Sequence, residues 1–180
     1  VTNRGLARTF QNIRLFKNLS VRDNILIALD RTTENSTFKS LFRTKSYLRD
    51  EEEKNRKVDE LLKIFALEGI GEDTEACNLP YGVQRRLEIA RAIATGARIL
   101  LLDEPAAGMN HTETAQLMET IRFIRDRFQL SILLIEHDMR LVMGISERVA
   151  VLEYGKKIAD GAPKEVQEDK NVIRAYLGTE

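Results

Sequence analysis

Cysteine is almost absent from this chain, tryptophan wholly so, and proline occurs three times in 180 residues. The lone Cys77 forbids an intrachain disulfide, which removes the stapled, secreted scaffold as a class. Net charge is missing as well, since 28 basic side chains meet 28 acidic ones. No overall field draws the chain to nucleic acid or to an anionic membrane surface, so no nucleic-acid partner is expected. Apolar stretches such as Ile99 to Leu102 fall far short of the roughly 20 residues that a membrane span needs. The opening Val1 to Arg8 holds no apolar run, so no signal peptide is expected. What is present is 43% apolar and 31% charged residues, the composition of a folded globular protein. The chain is long enough to bury a core, and a soluble protein of a reducing compartment is expected.

Hydrophobic spacing divides the rest. Thr9-Phe10-Gln11 is either a short strand or a loop leaving one. Ser20, followed by Asp23, is a capping box opening a helix through Ile25-Leu26-Ile27. Residues 31 to 45, rich in Thr, Ser, Lys and Arg, read as an exposed connection. Val58, Leu61, Leu62 and Phe65 recur at three- and four-residue steps, which predicts a helix from Asp50 to Glu68 with Gly69 at its C-cap. The charge run Arg49 to Lys54 is its solvated face. A further helix starts after Tyr81-Gly82 and runs to Gly96. Ile99 to Leu102, stopped by Asp103-Glu104-Pro105, predicts a strand buried on both faces, as in a parallel sheet. Asn110 and Glu113 cap a helix with Leu117, Ile121, Ile124 and Phe128 inward. Ile132 to Ile135 is a second such strand, ending in Glu136-His137-Asp138. Val149 to Leu152 and Lys157 to Ala159 flank Tyr154-Gly155 as a hairpin, and short helices begin at Pro163 and Asn171. Helix and loop dominate before residue 95 and an α/β pattern follows it.

Chemistry concentrates where the buried strands end. In open α/β sheets the C-terminal edge is where ligands bind. There Asp103 can hold Mg²⁺ through oxygen and water, and Glu104 can polarise a water for attack on a phosphoryl group. Taken alone, the pair reads equally as two acids solvating a strand end. His137 follows the neighbouring strand and can donate to a phosphate oxygen; alone it reads as a cap or a core histidine. Gln11 offers an amide for metal or water, or is an ordinary loop residue. Gly82 opens the helix bearing Arg85 and Arg86, and a helix N-terminus with glycine makes an anion site. A plain helix start after a Pro-Tyr turn fits that spacing as well.

The segment Leu79-Pro80-Tyr81-Gly82-Val83-Gln84-Arg85-Arg86-Leu87-Glu88-Ile89-Ala90-Arg91-Ala92 resembles the signature of ABC transporter ATPases. Ile99 to Pro105 resembles their Walker B strand with the adjoining glutamate, and Ala106 to Asn110 their D-loop. His137 matches the switch histidine and Gln11 the Q-loop glutamine. Gly5 to Gln11, Arg14-Leu15-Phe16, Glu136 to Met139 and the tail Val172 to Gly178 resemble the ATP-binding subunits of branched-chain amino-acid importers.

The resemblance implies a P-loop NTPase-like α/β sheet with an inserted helical subdomain. Residues 1–12 would lead from the core to the Q-loop, 13–95 would form the helical subdomain with the signature, and 96–180 the nucleotide-binding core. It implies ATP hydrolysis with Mg²⁺, with Glu104 as base, Asp103 and Gln11 toward the metal, and His137 at the γ-phosphate. Leu79 to Gln84, with Asn110, would meet ATP held by a second ATP-binding subunit, in a homo- or heterodimer. The partners implied are transmembrane permease subunits and, indirectly, a substrate-binding protein. The place implied is the cytoplasmic face of the cell membrane. Lipopolysaccharide export, urea import and a non-catalytic docking module are the alternatives within reach. Pro80 stands where the signature has Ser, and Val83 where it has Gln. No Gly-x-x-x-x-Gly-Lys-Ser/Thr loop occurs in the 180 residues. The chain thus resembles a subunit lacking its first strands and phosphate loop, expected to be inactive alone.

Overall fold

The computed structural model describes residues 5–30, 45–70 and 74–177. Three parallel strands lie in the order β1 (Leu6–Arg8), β2 (Ile99–Asp103) and β3 (Ser131–Ile135). Parallel neighbours cannot be joined by a tight turn, so helices carry the connections. Between β1 and β2 run α1 (Val21–Asp30), α2 (Lys45–Ile64), a 3₁₀ turn at Ala76–Asn78 and α3 (Tyr81–Ala94). Between β2 and β3 runs α4 (His111–Phe128). Beyond the sheet come α5 (Met139–Ile145), the antiparallel hairpin β4 (Val149–Glu153) and β5 (Lys156–Gly161), α6 (Pro163–Glu168) and α7 (Lys170–Leu177). The register pairs Leu6 with Ile99 and Asp103 with Ile135, so all three strands of the sheet end at one edge.

Helix starts follow their caps. Asn110 Oδ1 accepts from the N–H groups of Thr112 and Glu113, and Glu113 Oε2 accepts from the Asn110 N–H at 2.9 Å. Ser20 Oγ accepts from the Asp23 N–H at 3.0 Å and heads α1. Helix α2 differs from the expected Asp50–Glu68: it begins at Lys45 and stops at Ile64. The stop is Ala66, not Gly69. Ala66 takes the left-handed conformation at φ 49°, and the Leu67 N–H returns to the Leu62 carbonyl at 2.8 Å. Phe65 and Leu67 thereby both enter the core. Burying two such side chains gains roughly 1.5–3 kcal/mol each, against about 1–2 kcal/mol for a left-handed alanine.

One apolar core includes Ile25, Val58, Leu87, Ile89, Leu100, Leu102, Ile121 and Ile124, so the helices before Gly96 share it with the sheet after it. The expectation of strands buried on both faces is overturned. Leu102 is wholly buried, but Leu133 is 58% and Ile135 56% exposed, and Ile99 is exposed too. Among the described residues, that core lies against one face of the sheet alone. A second cluster, Val149, Val151, Val166 and Val172, holds the hairpin to α6 and α7. No helix of the described residues is long and apolar enough to cross a membrane.

Candidate functional site

Because the strands are parallel, their exits gather Gln11, Asp103, Glu104 and His137 at one edge. The Glu104 N–H still donates to the Ile135 carbonyl at 2.9 Å, as if β2 continued. At that residue the chain turns away with φ 44°, a left-handed conformation on a non-glycine residue. Such strain costs about 1–3 kcal/mol and gathers at functional sites.

Gln11 Nε2 donates to Glu104 Oε2 at 2.8 Å. His137 Nδ1 stands 3.8 Å from Glu104 Oε1, on a ring that is 75% exposed. Asp103 Oδ2 accepts from Arg8 Nη2 at 2.8 Å. Beneath them the Glu136 carboxylate is almost wholly buried. It accepts from the Ala106 N–H at 2.9 Å and from the His137 N–H at 3.1 Å, tying the loop after β2 to the loop after β3. The result is a half-buried carboxylate with an amide on one side and an imidazole on the other. That arrangement can hold a water and take its proton.

The donors suit Mg²⁺ better than a softer metal. Asp103 and the Gln11 amide offer oxygen donors, and the described residues hold no group of three or more His, Cys, Asp or Glu able to cage an ion. Mg²⁺ accepts this, because it keeps water and binds substrate phosphates instead of filling its shell with protein.

The second group lies at the start of α3. Pro80 is its N-cap, and the Pro80 carbonyl accepts from the N–H groups of Val83 and Gln84 at 3.0 Å. Gln84 Nε2 donates to the buried Leu79 carbonyl at 2.8 Å. Gly82 lets α4 come close: a Cβ there would lie 3.2 Å from Glu113 Oε1, a tight contact that a small shift of that side chain would relieve. The Tyr81 ring faces Gly108, and Val83 packs on the core. Residues 79–84 therefore abut the 106–110 turn and the first turn of α4. Asn110, expected beside nucleotide, spends its side-chain oxygen on capping α4.

The two arginines near the start of α3 are held by backbone carbonyls of other segments. Arg86 Nε donates to the Phe65 carbonyl at 3.0 Å, and Arg85 is wholly buried, bonded to the loop at Phe10 and Gln11. Helix periodicity explains both, since each projects along the flank of α3 rather than off its end. Arg8, Glu136 and the buried Glu88 join the site without a role expected of them from sequence. An acid directly before a candidate histidine, and an acid three residues after an arginine on a helix, were the available signals. Of the connection expected at residues 31 to 45, residues 31–44 lie outside the described residues.

Sheet edge, helix start and intervening turn together define a nucleotide-handling α/β domain, and comparison with known proteins supplies its family. The ABC transporter family matches residues 1–107, and a branched-chain amino acid ATP-binding cassette transporter family matches residues 156–180. The chain belongs to the ABC transporter ATP-binding family and is an ABC-type ATPase. It is 45% identical over 99% of its length to the high-affinity branched-chain amino acid transport ATP-binding protein LivG of Escherichia coli, of which it spans 69%. It is 42% identical to BraF of Pseudomonas aeruginosa, a protein of the same description, over 99% of this chain and 69% of that one. Among solved structures it resembles the ADP conformation of MJ1267, an ATP-binding cassette of an ABC transporter. The TM-score is 0.74 at 26% identity, over 99% of this chain and 70% of that one.

Proposed function

We propose that this chain serves an importer of branched-chain amino acids by hydrolysing ATP at the edge formed by Gln11, Asp103, Glu104 and His137. The observation that carries the chemistry is Glu104, held at 2.8 Å by the Gln11 amide and faced by His137 at 3.8 Å. Glu104 takes the proton of the attacking water. Gln11 fixes the carboxylate's direction and the water's place. His137 donates to a terminal phosphate oxygen, its exposed ring free to reach one. Asp103, with the Gln11 amide oxygen, would hold Mg²⁺, which when bound neutralises charge on the phosphates. The start of α3, Leu79 to Gln84, presents its positive end to phosphate carried by a second ATP-binding subunit. Residues 13–95 form the lobe that meets the transmembrane permease, 1–12 and 96–180 the core beside it, and the place of work is the cytoplasmic face of the membrane. A substrate-binding protein is an indirect partner. The 45% identity to LivG, against 31% to the lipopolysaccharide export protein LptB of Escherichia coli, favours amino-acid import over lipopolysaccharide export.

The test uses a subunit of the relatives' full length. Glu104→Gln keeps the shape but cannot accept the proton, so turnover falls by about 10²–10⁴ while ATP binding persists. His137→Ala also lowers turnover, through loss of a phosphate donor. As a control, titration of the 180-residue polypeptide with Mg-ATP stays flat in calorimetry, because these residues include no phosphate-cradling glycine loop. Parent-rate hydrolysis by Glu104→Gln would assign the base elsewhere.

A further inference from the structure

Arg85 is wholly buried, yet it sits on the second turn of a helix whose other buried side chains, Glu88 apart, are aliphatic. A buried guanidinium is costly, and a well-packed apolar side chain of similar volume is often no worse for stability. Its bonds account for it. Nη1 donates to the Phe10 carbonyl at 2.7 Å and Nη2 to the Gln11 carbonyl at 2.8 Å. The same nitrogens reach Glu88 Oε2 at 2.8 Å and the Tyr81 hydroxyl at 3.0 Å. Glu88 Oε1 accepts from the Arg14 N–H at 3.0 Å. One buried ion pair on α3 therefore grips a single loop at residues 10, 11 and 14.

We infer that the Arg85–Glu88 pair is a positioning clamp that aims the Gln11 side chain at Glu104, so that the helix bearing Tyr81-Gly82 and the hydrolytic edge are set by the same guanidinium. Two successive carbonyls held by one rigid fork fix the peptide planes on both sides of the Gln11 Cα. That fixes the direction of its Cβ and delivers Nε2 to Glu104 Oε2. Lysine, a compact charge with rotatable donors and no planar fork, does not fix the directions of the two carbonyls together. The Arg85 Nε has no partner among the described residues, so the side chain is committed to the loop at the expense of its own full satisfaction. Arg85 touches no reacting atom. It acts through Gln11.

The inference rests on the proposed hydrolytic role of the edge, and its test has two arms so that the two can fail separately. In the 180-residue chain, Arg85→Lys raises amide exchange at residues 11–14 by about tenfold while amides of α3 and β2 keep their protection. In the full-length subunit, Arg85→Lys lowers kcat about tenfold with the KM for Mg-ATP within about twofold, and combining it with Gln11→Ala adds nothing to the loss from Gln11→Ala alone. If Arg85→Lys does not fold, Arg85→Met with Glu88→Leu leaves neither buried charge unpaired and takes its place in both arms. Faster exchange spread evenly through α3, or losses that add in the double variant, would show a residue that merely supports the fold and would overturn the clamp. A parent subunit that hydrolyses no ATP would overturn the proposed function instead, and the exchange arm alone would then decide the clamp.

Discussion

Leu102 and Leu133 show how far a single residue's environment departs from its apparent type. Both are leucines in short apolar strands of one sheet, and the sequence treats them alike. Leu102 is wholly buried, whereas Leu133 is exposed on the opposite face. Truncation separates them. Leu102→Ala should cost about 2–5 kcal/mol by urea unfolding, and Leu133→Ala within about 0.5 kcal/mol. Equal losses would mean that both faces are packed. The residues proposed for the chemistry are more legible than these leucines. Glu104, His137 and Gln11 stand out by motif, and the edge they share follows from strands that all run one way. Two things were not legible: the left-handed backbone at Glu104, and the burial of Glu136 beneath His137. Both depend on where the loop after β2 meets the loop after β3, two segments separated by the whole of α4.

Among the elements, those defined by local chemistry came closest to expectation. The Asn110–Glu113 box and the Tyr154-Gly155 turn are signals contained within four residues, and the structure has both. Helix α2 differs from expectation at both ends, and its stop depends on Phe65 and Leu67 finding the core and not on the nearest glycine. The hairpin carries a testable charge cluster. Asp160 accepts from Arg148 Nε and Lys157 Nζ, each at 2.7 Å, and these bonds hold its carboxyl down to about 2 from a usual 3.8. A carboxyl whose folded pKa is depressed stabilises the fold above its unfolded pKa, and that contribution is lost as pH falls through the folded value. Thermal melts of the parent should therefore drop toward those of Asp160→Asn between about pH 4 and pH 2, and coincide with them below. Salt should shrink the gap at neutral pH, because the cluster is exposed. Parallel curves from pH 5 to pH 2 would deny the pair any part in stability.

At the scale of the whole molecule, the change of pattern near Gly96 suggested a helical part and a sheet part, yet one core runs through both. Periodicity sees which face of a helix is apolar but not which other element covers it. The second cluster beneath the hairpin was equally hidden, since its four valines are scattered over α6, α7 and β4. The sheet's connectivity has a kinetic consequence. Strand β3 reaches β2 across a single helix, while β1 reaches it only across α1, α2 and α3, and the Gln11–Glu104 bond spans 93 residues. Closing the larger loop carries the larger entropic toll, so β2 and β3 should pair first during refolding. In pulse-labelled hydrogen exchange, amides of the β2–β3 ladder should gain protection before that of Thr9, which donates to Leu101 across the β1 side. Simultaneous protection would deny the order. The Gln11–Glu104 contact at the sheet edge then forms after the β2–β3 pair, and a chain that stalls on the way carries Glu104 and His137 side by side without Gln11. A complete edge reports that both crossovers of the three-stranded sheet have closed.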